Sequence, residues 1–374
     1  MKRLFTLTIL LLAALTAARG QALIEITLTE AGSLSSLVST TKKDMITNLK
    51  ISGDINAADL YFINEMARLE RLDLSDAHII ASSGYYNGKT QTFIKDTELN
   101  TLPYDCFYSH DNYRSIILPR SLVNIAGNAF AFCENLESVT LGPDFRYNGE
   151  REFSFLFGYT PALQTIEVDA GNSQYQDISG VLFSRDGKTL VYYPEQHAQT
   201  TYVIPDSVTT LAPQAFYATG VSGGSLRTLV IPASVTDYPD ELMASTPNLS
   251  RIYVEATEPP LIGDKTFNLG SQLKQTCVLC VPPGCYSKYW LAKGWGDFAQ
   301  IVEETYTALS PSPTAPNAVS VEGNTLIISP VGGQNIHIFD AGGRKLYGGP
   351  AASLSLPHGT YLIRTGRQTI KINL

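Results

Sequence analysis

The sequence is poor in the side chains that carry catalysis and metal binding. Its five histidines, His78, His110, His197, His337 and His358, include no i, i+4 pair. None can therefore form the two-histidine face of a zinc-binding helix, and each is expected at the surface or in a turn. Cys106, Cys133, Cys277, Cys280 and Cys285 are odd in number and irregular in spacing, which is not the pattern of a disulfide framework. Cys277-x-x-Cys280 with Cys285 lacks a fourth zinc ligand, so no metal and no cofactor are expected. The Gly-x-Ser-x-Gly nucleophile elbow, the phosphate-binding glycine loop and His-Glu-x-x-His are all missing. Asp54-x-Asn56 with Glu65 imitates the ends of a calcium loop, but Asp59 stands where that loop's sharp turn needs glycine. These absences point away from an enzyme.

Long apolar runs are scarce too. The run at residues 4–18 has 15 residues, short of the roughly 20 that span a bilayer. It follows Lys2-Arg3 and leads into Ala18-Arg19-Gly20. A basic start, a short apolar middle and a small-x-small end describe a secretory signal peptide, so residues 1–20 are expected to be removed and the chain to be secreted, extracellular or on a cell surface. With Lys2, Arg3 and Arg19 gone, the 27 basic side chains fall to 24 against 35 acidic ones, a net charge near −11. Nucleic acid wants a basic face, so no nucleic-acid partner is expected on this charge. No transmembrane segment is expected.

What is present is a repeat. The template apolar-x-x-apolar-x-apolar occurs at Ile46/Leu49/Ile51, Leu69/Leu72/Leu74, Tyr113/Ile116/Leu118 and Leu136/Val139/Leu141. It recurs at Leu163/Ile166/Val168, Leu226/Leu229/Ile231 and Leu249/Ile252/Val254. The spacing is 23 from Ile51 to Leu74, from Leu118 to Leu141 and from Ile231 to Val254; it is 44 from Leu74 to Leu118 and 27 from Leu141 to Val168. These are leucine-rich-repeat periods. The last two apolar positions lie two residues apart, so in a strand they face one side, the solenoid interior. The residue between them faces out. Those residues, Lys50, Asp73, Ile117, Thr140, Glu167, Val230 and Tyr253, are the candidate partner contacts, together with the tyrosines Tyr85 and Tyr86.

A second half-motif follows several strands: Leu118-Pro119-Arg120-Ser121-Leu122, Ile204-Pro205-Asp206-Ser207-Val208 and Ile231-Pro232-Ala233-Ser234-Val235. Proline has no N–H for the ladder and stops the strand. A small residue before phenylalanine comes next, as Ala129-Phe130 and Ala215-Phe216, with looser copies Cys106-Phe107 and Thr266-Phe267. The phenylalanine is the expected filler of the convex side. These residues resemble the BspA-like leucine-rich repeat proteins, best over residues 113–141 and more loosely over about 45–303. Cys133 falls where that family often has cysteine, while Ala126 replaces its usual glycine and Ala77 stands where asparagine is common. No buried asparagine ladder is expected.

The organisation read from this pattern is a signal peptide (1–20), an N-terminal cap (21–44), and a leucine-rich repeat solenoid (45–303) ending in a C-terminal cap. A linker (304–316) and a small all-β sandwich module (317–374) follow. A hairpin insertion at 169–200 is marked by apolar runs on either side of Asp186-Gly187. Trp290 and Trp295 belong to the C-terminal cap, the alternative being a sugar-stacking platform. The tail resembles the sorting domain of type IX secretion cargo, through residues 336–344 with Asp340-x-x-Gly343-Arg344, residues 356–364, and Lys371. The resemblance implies a surface-exposed binding protein that takes a protein ligand, such as a host extracellular-matrix or cell-surface protein. The alternative is a glycan-binding accessory protein.

Overall fold

The computed structural model describes residues 22–87, 92–148, 153–217, 224–244, 246, 248–267, 273–307, 317–322, 325–330, 336–340, 345–349, 352–355, 360–365 and 368–373. The expected signal peptide and most of the linker lie outside them. Two compact units divide at Thr305/Tyr306. Among the described residues no helix is long and apolar enough to cross a membrane.

The first unit is a stack of short parallel strands. One sheet runs, in order, Leu23–Leu28, Asn48–Ile55, Arg71–Ile79, Ser115–Ile117, Ser138–Leu141 and Thr165–Val168. A second runs Thr201–Val203, Thr228–Ile231, Arg251–Val254, Val278–Val281 and Gln300–Glu303. Every pairing within both sheets is parallel and the template positions stay in register, Leu49 against Leu72, Leu72 against Ile116, Ile116 against Val139 and Val139 against Ile166. Those residues and their partners two positions on are buried, because no single repeat can cover its own apolar face and each neighbour does it instead. Gly53, at φ +93°, allows the closest approach in the first sheet: a Cβ there would meet the Leu28 carbonyl oxygen at 2.2 Å.

On the other side of each coil Phe107, Phe130 and Phe157 stack, with centroids 5.8 and 5.4 Å apart at 19° and 8°. Tyr192 continues the line 5.7 Å beyond Phe157. Phe216 and Phe267 take the same place in later repeats and are buried. Ala77 is buried at the position where an asparagine is common in related templates.

The N-terminal end is closed by one carboxylate. Asp59, in the helix Ala57–Asn64, accepts backbone N–H bonds from Gly32 (2.5 Å), Leu34 (3.0 Å) and Asn56 (3.1 Å). Asn56 returns the favour to the helix as its N-cap, accepting from Ala58 and Asp59. The residues that imitate a calcium loop are thus a capping box.

Between the two large sheets stands the insertion. Tyr175–Ile178 pairs antiparallel with Val181–Ser184, which pairs antiparallel with Thr189–Tyr192, and Thr189–Leu190 then run parallel to Thr210–Leu211. Leu182 and Tyr192 pack into the core of the preceding repeats, Val181, Phe183 and Leu190 into that of the following ones. Tyr175–Ile178 is half-buried to exposed, while the insertion's strands Val181–Ser184 and Thr189–Tyr192 are therefore a wall between two cores. His197, expected at the surface, is buried behind it: its ring is held among Tyr193, Tyr202 and the Ser179 carbonyl.

In the second unit the described backbone from residue 317 on is all strand. Asn317–Glu322, Thr325–Pro330 and Ala352–Ser355 form one antiparallel sheet. Lys345–Gly349, Ile336–Asp340, Thr360–Thr365 and Gln368–Asn373 form another. Residues 341–344 and 356–359 of the sorting-type pattern lie outside the described residues.

Candidate functional site

The outward row of the first large sheet is continuous: Glu25, Lys50, Asp73, Ile117, Thr140 and Glu167 stand in register. Ile117 and Glu167 are exposed and Lys50, Asp73 and Thr140 half-buried. The row is laced by its own charges. Lys50 Nζ lies 2.6 Å from Asp76 and 4.0 Å from Asp73. The hydrogen bond from Lys50 holds the Asp76 carboxyl below the usual carboxylate range. Thr140 donates to Glu167 at 3.2 Å. At the mouth of the same strands Arg114 reaches Glu137 (2.6 Å) and Glu70 (3.8 Å) beside an open recess of about 390 Å³ bounded by Arg68 and Asp111.

The row does not continue as expected into the second sheet. Val230 and Tyr253, the other two predicted contacts, are 0 % and 7 % exposed and cannot serve as free contacts. They occupy the outward register, but there they stand in an apolar line, Val203, Val230, Tyr253, Cys280 and Val302, in which each side chain shields the next. Only Val203, on the edge strand, is well exposed. The Tyr253 hydroxyl is pinned as well. It donates to Glu304 at 2.7 Å and accepts from Arg251 at 3.2 Å, while Arg251 pairs with Glu304 at 2.5 Å. Burial first, then the bond to Glu304, pushes the phenol up to about 12, and Tyr253 and Arg251 together hold Glu304 low.

Of the two predicted tyrosines, Tyr85 is 41 % exposed and leans on Tyr61 with centroids 4.7 Å apart. The side chain of Tyr86 lies outside the described residues.

The structure brings together a set of residues that the repeat template passes over. Tyr108, Phe132 and Tyr159 are exposed, and they form a ladder. Phe132 and Tyr159 stack at 4.6 Å and 11°, and Tyr108 tilts onto Phe132 at 5.1 Å. The backbone carries the ladder, with Ser109 N–H donating to the Ala131 carbonyl and Phe132 N–H to that of Gly158. Ser109, Phe132 and Tyr159 all have φ near +60° (59°, 61° and 57°), a conformation that bulky side chains rarely adopt. Two partly exposed aromatic rings are held there at a cost in backbone strain, and such strain clusters at functional surfaces. Tyr217 stands next in line: burial, then the neighbouring Tyr159 phenol, raises its hydroxyl. The sequence signal was an aromatic two residues after the buried phenylalanine, Phe130-Ala131-Phe132 and Phe157-Gly158-Tyr159.

Trp290 and Trp295 part company. Trp295 is fully buried, donates from Nε1 to the Pro260 carbonyl at 2.8 Å, and meets Tyr289 edge-on; it is part of the cap. Trp290 is 54 % exposed. Cys277 packs into the core while Cys280 lies in the outward line. Among the described residues no three His, Cys, Asp or Glu side chains gather as a metal site.

Residues 78–175 and 192–279 match the BspA type leucine rich repeat region in six copies. The chain is also similar to a leucine-rich repeat protein from Eubacterium ventriosum, at 13% identity over 70% of this chain and 73% of that one, with a TM-score of 0.35. A leucine rich cell surface protein from Faecalibacterium prausnitzii matches at 14% identity over 70% and 80%, TM-score 0.34. The pneumococcal vaccine antigen PcpA matches at 16% identity over 70% and 80%, TM-score 0.29. None of the curated proteins matches this sequence.

Proposed function

With BspA-type leucine-rich repeats over residues 78–175 and 192–279, we propose that this chain is a secreted or surface-exposed, non-catalytic binding protein that mediates protein–protein interaction or adhesion to host components. The observation that carries this reading is the exposed ladder Tyr108–Phe132–Tyr159. Aromatic side chains are enriched at the centres of protein interfaces, where they bury large area at little rotamer cost. The outward row Lys50, Asp73, Ile117, Thr140 and Glu167, polar except at Ile117, is a second candidate surface, and Tyr85 and Tyr86 are further candidates on their own hairpin. The test is binding of the exported chain to immobilised extracellular-matrix proteins. The pair Phe132→Ser and Tyr159→Ser should weaken capture at least tenfold, about 1.4 kcal/mol, without lowering the melting temperature. Unchanged capture by a folded double variant would remove the ladder from the interface.

The tail belongs to the same reading. We propose residues 1–20 as the signal peptide, 21–44 and 45–303 as cap and solenoid, 304–316 as linker, and 317–374 as a sandwich-type sorting module. Deleting 317–374 should leave a folded solenoid retained in the periplasm, and a truncated chain that still reached the cell surface would refute the sorting role.

A further inference from the structure

Trp290 is left over from everything above. It sits on the short helix Tyr286–Leu291, four residues after Tyr286, and residues at i and i+4 share a helix face. The two rings are parallel to within 8° with centroids 6.1 Å apart. At that separation the parallel rings are not a close face-to-face sandwich, and both are exposed, Tyr286 at 41 % and Trp290 at 54 %. The solenoid core does not use them. The cap is already made by Trp295, Tyr289 and Phe298, all buried. Neither the indole N–H of Trp290 nor the Tyr286 hydroxyl has a hydrogen-bond partner among the described residues, so both are available to a ligand.

The charges around this helix are already paired. Lys288 bonds Glu258 and the Thr257 carbonyl. Lys293 pairs with Asp264 at 3.0 Å. Glu303 accepts the Tyr286 backbone N–H at 2.9 Å, and that bond with those of its neighbours holds its carboxyl low. Among the described residues each of these charged side chains already has a partner, the lysines a carboxylate and Glu303 the backbone N–H of Tyr286. A neutral ligand finds two parallel exposed rings with N–H and O–H groups at their rims. We propose that Tyr286 and Trp290 form a stacking platform for a neutral oligosaccharide, two successive pyranose rings laying their C–H faces on the two aromatic rings and their hydroxyls meeting the indole N–H and the phenol. This platform is separate from the Tyr108–Phe132–Tyr159 ladder and stands or falls independently of it.

The test uses the fact that the chain has two tryptophans, one buried and one exposed. Emission of the full exported chain is followed as cellohexaose, laminarihexaose and mannohexaose are added, with iodide as a collisional quencher. At least one oligosaccharide should shift the emission to the blue and protect part of it from iodide. Because Trp290 is itself the reporter, the variants are followed by isothermal titration calorimetry: measurable binding should be lost in Trp290→Ala, and the affinity should fall tenfold or more in Tyr286→Ala. Trp290→Phe should retain binding within about tenfold, since it keeps an aromatic face, and this variant serves as the folded control. No response to any of the three sugars overturns the proposal. So does a response that persists in Trp290→Ala, or tighter binding of polygalacturonate than of every neutral oligosaccharide. Loss of matrix-protein capture in Trp290→Ala without any sugar response assigns the platform to a protein partner and equally overturns it.

Discussion

The imidazole Nε2 of His197 lies 2.8 Å from the carbonyl oxygen of Ser179. Since a carbonyl only accepts, Nε2 carries the proton. Nδ1 then accepts the Gln199 backbone N–H at 3.3 Å, which describes a neutral ring with both nitrogens satisfied. Burial lowers its pKa below the ordinary 6.5, outweighing the opposite pull of the Ser179 bond.

A pH dependence follows from that neutral ring. Below about 6.5 the unfolded chain takes up a proton that the folded chain refuses, so stability falls as pH drops through that value towards the depressed folded pKa. Above 6.5 both states are neutral and this residue contributes no slope. The slope from one such group is at most about 1.4 kcal/mol per pH unit. Melting temperatures between pH 7.5 and 5 should fall for the native chain and fall less for His197→Gln. Equal slopes would show that other groups set the acid sensitivity.

Asp59 is the second point of leverage. Replacing it with alanine leaves the N–H groups of Gly32, Leu34 and Asn56 without their acceptor in a buried corner. Buried donors left unpaired cost about 1–3 kcal/mol each, so Asp59→Ala should lose about 3 kcal/mol or more in denaturant unfolding and loosen the N-terminal cap first. Asp59→Asn keeps one acceptor and should fall between. A wild-type midpoint in Asp59→Ala would mean that the cap is not held by this carboxylate.

Phe130 has a ring above and a ring below it. Truncation to alanine empties a fully buried site between Phe107 and Phe157 and should cost about 3–5 kcal/mol. Phe132→Ala, two residues on and exposed, should cost far less, because truncating an exposed ring leaves no cavity in the core. If the two variants melt together, the division between buried and exposed ladders is wrong.

All five cysteines are free and buried. Burial raises the Cys106 and Cys280 thiols and pushes Cys133 and Cys277 up to about 12, so the reactive thiolate is scarce at neutral pH. Ellman's reagent should titrate fewer than one thiol in the folded chain on the timescale of free cysteine, and five after guanidinium. Fast labelling of the native chain at Cys280, the thiol nearest the outward face, would mean that the Val230–Tyr253–Cys280 line is open to solvent.

Much of this molecule is local enough to be written in the chain. Apolar residues at Leu72 and Leu74, or Val139 and Leu141, demand a half-buried strand. Proline at 119, 205 and 232 ends three of these strands or their outward register, and a 23-residue period places each strand against the last. The outward register of Lys50, Asp73, Thr140 and Glu167 follows from the same alternation. What the alternation cannot express is what stands beside an outward residue. Val230 and Tyr253 face outward by the same rule, yet neighbours one repeat away, and Glu304 some 51 positions on, close over them. The ring ladder likewise joins Tyr108, Phe132 and Tyr159 across 24 and 27 residues, and Trp290 differs from Trp295 only in which side of the cap each meets. Local sequence sets direction, because a side chain's direction is fixed by its own backbone. Exposure is decided by the stack, because it depends on atoms that arrive from other repeats.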